Sequence, residues 1–444
     1  MTQKKILYFV AEADYFCSHR LHIAVAALKA SYQVALVTRF NTKTEKATGF
    51  GSKQALEALG LTVFPLHHFK RGGFNPFHQI RSLLEIYRIY KHYKPDVVHQ
   101  VALKPVIFGS WMARMCGVPR VINALPGLGY LFTTSMTQLK PSPVTGEGGP
   151  AQRGVRVAGR CDVFCHPDQP SSGTACHLLP QREKDNFYST LIKNISKWLV
   201  LRIFKTIFSE ANSTLILQNT DDQDYLIQQA ALRPEQSVII PGAGVNLDHY
   251  NVQPFAPTPP VQIVCMARLL WHKGLGELAE AAKMLKARYN TGTRNHNTPI
   301  DIVLYGLPDP ENPSSIPETT LQHWQATGIL RWAGHAEDVA SAYASAHIAV
   351  LPSYREGLPK SLLEAASCGR PIVTTDVPGC RAVVQDGENG FLVPAHDAEA
   401  LATALARLIE DPDLRTRMGL AGRKRVEQSF SEQEVQEKTL TLYR

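Results

Sequence analysis

No stretch of this 444-residue chain runs to 18 uninterrupted apolar residues, so no segment reads as a membrane span. Cysteine is sparse: eight residues without even spacing, in a chain of this length, read as free thiols in a reducing cytoplasm and not as a disulfide framework. The opening MTQKKILYFVAEADYF reaches an acidic residue at Glu12, too early for the longer apolar region and small-residue cleavage site of an export signal. The first strand-like run is not followed by G-x-G-x-x-G, which argues against a nicotinamide cofactor. Basic residues interleaved with aromatics on a sheet face are also missing. The net charge of +8 and pI near 9.0 ask for an acidic partner, and without such a sheet the partner is read as an anionic membrane or a phosphorylated substrate, not nucleic acid.

What is present is an ordinary soluble composition, 44% apolar and 19% charged, long enough for two or three domains. Short apolar runs alternate with amphipathic ones, as in βαβ units. Strands are expected at Ile6–Val10, Val34–Thr38, Leu61–Pro65, Val97–Val101 and Arg120–Asn123, with helices at His19–Ala30, Ser52–Leu59, Pro76–Tyr93 and Pro105–Cys116. That order predicts a doubly wound sheet, whose ligands bind beyond the carboxyl ends of its strands. The loops singled out are Glu12–His19, His99–Lys104 and Ala124–Phe132. Ser18, His19 and Arg20 could meet a phosphate or an acceptor hydroxyl, His99 and Lys104 stand at a strand end, and Gly127 and Gly129 let backbone approach a ligand.

Residues 138–186 break the pattern, being rich in Pro, Gly, Ser and Arg without a period. Cys161, Cys165, His166, Cys176 and His177 fall there, but no C-x2-C pair does, so an irregular insertion or a frame-shifted stretch is preferred to a zinc site and no metal is expected. Two basic amphipathic segments frame it. Residues 191–208 set Lys193, Lys197, Arg202 and Lys205 among large apolar side chains, and Pro76–Tyr93 carries Arg81, Arg88 and Lys91. Either segment fits packing on a sheet, or rest on an anionic bilayer.

A second α/β domain begins near residue 262, after the Pro-rich stretch Pro254–Pro260. Its most informative part is AHIAVLPSYREGLPKSLLEAASCGRPIVTTD, residues 346–376: a strand, a loop, and a helix opening at Pro359. The first N–H groups of that helix, at Lys360, Ser361 and Leu362, favour an anion such as a diphosphate. Glu356 before the helix and Glu364 inside it can each accept paired hydrogen bonds from vicinal sugar hydroxyls, ribose at one and hexose at the other.

At this point the sequence resembles the family-4 retaining glycosyltransferases of GT-B fold. Their Glu-x7-Glu motif stands here as Glu356-Gly-Leu-Pro-Lys-Ser-Leu-Leu-Glu364, and Ala365, Gly369, Pro371 and DVPGCRAVVQDGENGFLV (376–393) are similar as well. The resemblance implies two facing Rossmann-like, doubly wound domains: an acceptor lobe (1–245), a linker (246–261), a nucleotide-sugar lobe (262–428), and a helix (429–444) returning to the first lobe. It implies that Arg268 and Lys273, matching Gly-Arg-Leu-x3-Lys-Gly with Ala267 in place of the glycine, bind the donor diphosphate without Mg²⁺ or any other cofactor. By the same likeness Glu356 meets the sugar, Glu364 the ribose, and Gly357, Leu358, Pro359, Lys360 and His335 complete the donor pocket.

The run Asp96–Pro105 resembles the family's Asp-Val-x-His-x-His segment, with Val101 in place of its second histidine. With SHR and the loop 123–132, it looks like the branch that extends polyprenyl-diphosphate-linked sugars. The function implied is retaining transfer of a hexose or N-acetylhexosamine from a nucleotide sugar, UDP expected, to a lipid-linked saccharide at the inner face of the membrane. A nucleotide-sugar 2-epimerase and a catalytically inactive GT-B scaffold are the alternatives.

Overall fold

The computed structural model describes residues 3–40, 52–69, 76–128, 132, 181–289, 299–310 and 312–444. Their strands form two parallel sheets. The first holds β1 (Lys5–Glu12), β2 (Gln33–Arg39), β3 (Thr62–Pro65), β4 (Val97–Val101), β5 (Arg120–Ala124), β6 (Ser213–Leu217) and β7 (Ser237–Ile239), in the order β3-β2-β1-β4-β5-β6-β7. The second holds β8 (Val261–Met266), β9 (Ile300–Tyr305), β10 (Arg331–Gly334), β11 (Ile348–Leu351), β12 (Ile372–Thr375) and β13 (Gly390–Val393), in the order β10-β9-β8-β11-β12-β13. Both orders reverse beside their first strand, and that switch point opens a crevice at the strands' carboxyl ends.

These strands are near-continuous apolar runs because helices cover both faces of a parallel sheet. Tyr8, Phe9, Leu36 and Val37 in the first sheet, and Ile263, Val303, Ile348 and Val373 in the second, are fully buried or nearly so. The first and second lobes lie in one compact unit, residues 1–133 with 196–444; residues 134–195 form a separate unit. The irregular insertion at 138–186 lies mostly outside the described residues, as do Cys161, Cys165, His166, Cys176 and His177.

One expectation needs correction. Glu12–His19 is not a loop: Ala13–His19 is helical, and the chain breaks at Arg20 before a second helix, Leu21–Lys29. The C-terminal segment is two helices, Pro412–Ser429 and Glu432–Thr441, because the Ser431 hydroxyl accepts from Glu434 N–H and starts a new N-cap. The linker's proline stretch runs directly into β8 at Val261.

The chain crosses between lobes twice, and the crossings bond to each other: Val245 N–H donates to the Phe430 carbonyl (2.9 Å) and Glu432 N–H to the Val245 carbonyl (3.1 Å). The final helix then docks on the first lobe, where Tyr443 is fully buried. Its hydroxyl lies 2.7 Å from that of Tyr8 and 2.7 Å from Nδ1 of His99.

Candidate active site

The segment after β11 forms as its sequence suggests. Pro359 is the N-cap of the helix Lys360–Ser367, with φ −74°. Of the three N–H groups assigned to an anion, that of Leu362 is engaged, donating to the Pro359 carbonyl at 3.1 Å, which leaves Lys360 and Ser361. Ahead of the helix, Tyr354 N–H donates to the His272 carbonyl at 3.0 Å, joining the loop after β11 to the loop after β8. The Tyr354 hydroxyl donates to Glu277 at 2.7 and 2.8 Å, fixing the same loop from the other side.

Those ties bring Glu356 and Lys273 together as an ion pair, each side chain 12% exposed. Lys273 ends the 3-10 turn Trp271–Lys273, and Gly274 follows at φ +71°. A Cβ on Gly274 would stand 1.9 Å from the Pro352 carbonyl oxygen, so only glycine lets the two loops touch. Arg268 is exposed on the same loop. Burial pushes the Tyr15 hydroxyl up, and the charges of Arg20 and Arg268 oppose it.

Glu364 is 6% exposed. Its carboxylate accepts from the Tyr250 hydroxyl at 3.0 Å and pairs with Lys360 Nζ at 3.3 Å. Burial pushes its pKa up from the usual carboxylate value, and Lys360 and Tyr250 work against that. Lys360 also donates to the Ser18 carbonyl of the first lobe (3.2 Å), so the helix start meets the SHR segment. Leu358 and Pro359 are buried beneath it, and His335 is exposed just beyond β10.

From the first lobe the structure delivers part of what the sequence nominated. Gly127 meets Gly357 backbone to backbone. Arg20 is 3% exposed and donates to the carbonyls of Gly242 (2.9 Å) and His19 (3.2 Å). His19 stacks on Tyr15 with ring centroids 4.2 Å apart. His99, by contrast, does not reach the cleft: it is 1% exposed beneath the sheet end, bonded to Tyr443 and stacked on Tyr8. A strand-end histidine on the inward side of the pleat serves the core. Lys104 stands over the rings of Phe69 (4.5 Å) and Phe108 (5.4 Å), near the charge of Arg39, on the β2 side of the sheet. Gly129 lies outside the described residues.

Sequence reasoning missed Tyr250, which bonds Glu364, and Asn219, Asp222 and Arg355, which hold the loop of Glu356 and Gly357 in place. Asn219 and Asp222 do carry a local signal, an N-cap before an acidic first turn, but it says nothing of a contact with a second domain.

Burial together with the charges of Arg20 and Lys360 holds the imidazoles of His19 and His22 down at about 3. Unfolded, both titrate near about 6.5, so below that pH the unfolded chain binds more protons and stability falls as pH drops toward 3. Glu364 and Asp222, raised by burial, act in the opposite sense. The histidine part is therefore read by difference: Tm should drop less between about pH 7 and 5 in a His19→Gln/His22→Gln protein than in the wild type. Equal drops in thermal melts would remove the assignment.

Residues 248–425 match the domain family described as glycosyl transferases group 1, and residues 5–141 match the one described as glycosyl transferase 4-like. A Campylobacter jejuni N,N'-diacetylbacillosaminyl-diphospho-undecaprenol alpha-1,3-N-acetylgalactosaminyltransferase is 23% identical over 82% of this chain and 80% of its own. An Escherichia coli UDP-Gal:alpha-D-GlcNAc-diphosphoundecaprenol alpha-1,3-galactosyltransferase is 22% identical over 75% and 71% respectively. Among solved structures, sucrose-phosphate synthase from Thermosynechococcus elongatus superimposes with TM-score 0.69 at 18% identity, covering 99% of this chain and 98% of that one. Anabaena HepE in complex with UDP and glucose does so with TM-score 0.65 at 15% identity, covering 99% of both.

Proposed function

We propose, from the premise that this chain belongs to the family-4 glycosyltransferases of GT-B fold, that its cleft moves a hexose or N-acetylhexosamine from a nucleotide sugar to a lipid-diphosphate-linked saccharide, with retention and without a metal. The observation that carries this reading is the pairing of Glu356 with Lys273 beside the start of the Lys360 helix, with Glu364 buried behind it.

The chemistry follows from the charges. Lys273, Arg268 and the free N–H groups of Lys360 and Ser361 are the groups assigned to a diphosphate that gains charge as the sugar leaves. Preorganised cations in a partly desolvated loop do that electrostatic work without an ion. Glu356 accepts from sugar hydroxyls and Glu364 from ribose hydroxyls, each beside a lysine partner. In front-face attack the leaving phosphate oxygen takes the acceptor hydroxyl proton while the new glycosidic bond forms on the face the nucleotide departs. No protein base is then required.

UDP is the favoured carrier and a polyprenyl-diphosphate saccharide the favoured acceptor. The C. jejuni and E. coli relatives are named for diphospho-undecaprenol-linked sugars, and the latter for UDP-Gal. No helix among the described residues is long and apolar enough to cross a membrane, and a lipid-linked acceptor calls for a surface that rests on the bilayer. The helix Pro76–Tyr93 offers one: Phe77, Ile80 and Leu84 are 77%, 55% and 49% exposed along one stripe, flanked by exposed Arg81 and Arg88. Residues 191–208 divide, with Phe204 and Phe208 in the core and Trp198 and Leu199 exposed; Lys193 lies outside the described side chains.

The test is a thermal-shift screen of UDP- and GDP-sugars in EDTA, followed by transfer to a polyprenyl-diphosphate saccharide in anionic vesicles. The expected result is stabilisation by one UDP-sugar, EDTA-resistant transfer with the anomeric configuration kept, and co-flotation of the protein. Donor-independent melting, inversion, or metal-dependent transfer would each overturn the corresponding part.

A further inference from the structure

The loop that carries Glu356 and Gly357 is tied to the first lobe by a buried ion pair. Arg355 Nη2 donates to the Asp222 carboxylate, and its Nη1 to the Phe132 carbonyl at 3.3 Å. Asp222 is 1% exposed and also accepts from Asn219 Nδ2 (3.2 Å) and the Leu128 backbone N–H. The same Asn219 amide donates to the Gly357 carbonyl at 2.8 Å, while its Oδ1 caps the helix Thr220–Gln228. Three groups from the first lobe, the Asp222 carboxylate, the Phe132 carbonyl and the Asn219 amide, thus close on Arg355 and Gly357 of the second.

This contact differs from the other ion pair between the lobes. Arg381 and Asp221, 3.3 Å apart, are 40% and 44% exposed, and a pair so hydrated adds little. The Asp222 side chain is 1% exposed and that of Arg355 20%, and Arg355 Nε is buried with no partner among the described residues. An arrangement that tolerates an unsatisfied buried donor is held for more than packing. Opening the lobes would leave the buried Asp222 carboxylate without its cation until water reaches it, so the pair favours closure.

We propose that Asp222, Asn219 and Arg355 are positioning residues, a latch that seats Glu356 and Gly357 against Pro126–Leu128 so that the donor-sugar loop reaches its working place only when the lobes are closed. The inference rests on the reading of the cleft as a transferase site. Adjacent side chains in an extended loop point to opposite sides: Arg355 faces the first lobe and Glu356 faces Lys273. A shift of the Arg355 anchor therefore carries Glu356 with it, whereas Arg268, Lys273, Glu364 and the helix start stay in the second lobe. The latch acts on turnover and leaves nucleotide binding alone.

The experiment compares wild type with Asp222→Asn, Arg355→Lys and the double variant Asp222→Asn/Arg355→Met. For the single variants kcat should fall by about 10 to 100-fold, with donor KM and UDP affinity within about two-fold of wild type. The double variant should be no slower than the slower single one, because both act through one contact. In small-angle scattering, the radius of gyration of Asp222→Asn should exceed that of wild type. A fall in UDP affinity and Tm in step with kcat, multiplied losses in the double variant, or unchanged kcat would overturn the proposal. If Asp222→Asn does not fold, Arg355→Lys carries the test, since it keeps the charge and loses only the fork. A wild-type protein that transfers from no donor would defeat the transferase reading, while scattering would still decide the latch.

Discussion

Lys273→Ala should lower kcat/KM for sugar transfer by about 10² to 10³-fold while the melting temperature stays close to that of wild type. The magnitude is that of removing one preorganised charge from the point where negative charge develops in the transition state, about 3 to 4 kcal/mol. Lys273 is suited to that role because its ammonium is already in the cleft, paired with Glu356, on a turn held between Leu270 and Gly274. It has no core to support, so the loss falls on turnover and not on folding. Removing it also leaves Glu356 without its cation, so Glu356→Gln in the same background should cost less than it does alone. Steady-state kinetics with the donor found by thermal shift would check both, and a Lys273→Ala enzyme within about three-fold of wild type would refute the assignment.

Gly357→Ala should lower transfer by about 10²-fold or more, although the substitution adds one methyl group. A Cβ at that position would come 1.8 Å from the Pro126 carbonyl oxygen and 2.8 Å from the Gly127 nitrogen. Both obstacles are backbone, so no side chain can swing aside, and the loop bearing Glu356 must back away from the first lobe. The second lobe has its own core, in which Leu362, Leu363, Ala365 and Ala366 pack the helix after the loop. UDP binding should therefore survive while turnover does not. Isothermal titration with UDP alongside single-turnover rates separates the two, and normal turnover would show that the lobes need not approach so closely.

Much of this architecture is legible in the chain. The apolar runs of the first sheet mark its strands because strands covered on both faces cannot alternate with polar residues. The helix Pro76–Tyr93 matches its expected bounds, since the amphipathic run ends at Lys94-Pro95 and proline excludes further helical turns. The Glu356–Glu364 block is legible for another reason: its proline, glycine and two carboxylates follow one another along the chain, so their spacing in sequence is their spacing in space.

Other residues were nominated by type and then placed elsewhere. His99 has the chemistry of a ligand, yet the pleat turns it inward onto Tyr443, a residue 344 positions later. A strand end such as that before Ala13–His19 leads one to expect a loop, but Ala13, Phe16 and Cys17 bury against the sheet and the segment is helical. Asp222 and Arg355 are 133 positions apart, and nothing in either neighbourhood names the other.

The sequence by itself determined two parallel sheets, the helix start at Pro359 and the residue types able to hold a diphosphate and two sugars, because hydrophobic period and local spacing are properties of adjacent residues. Only the tertiary structure decided which of these side chains share a cleft, that Glu356 pairs with Lys273, and that Asn219, Asp222 and Arg355 join the lobes. Contacts between lobes depend on how two independently folded surfaces meet at glycine-sized gaps, and a linear pattern carries no record of that meeting.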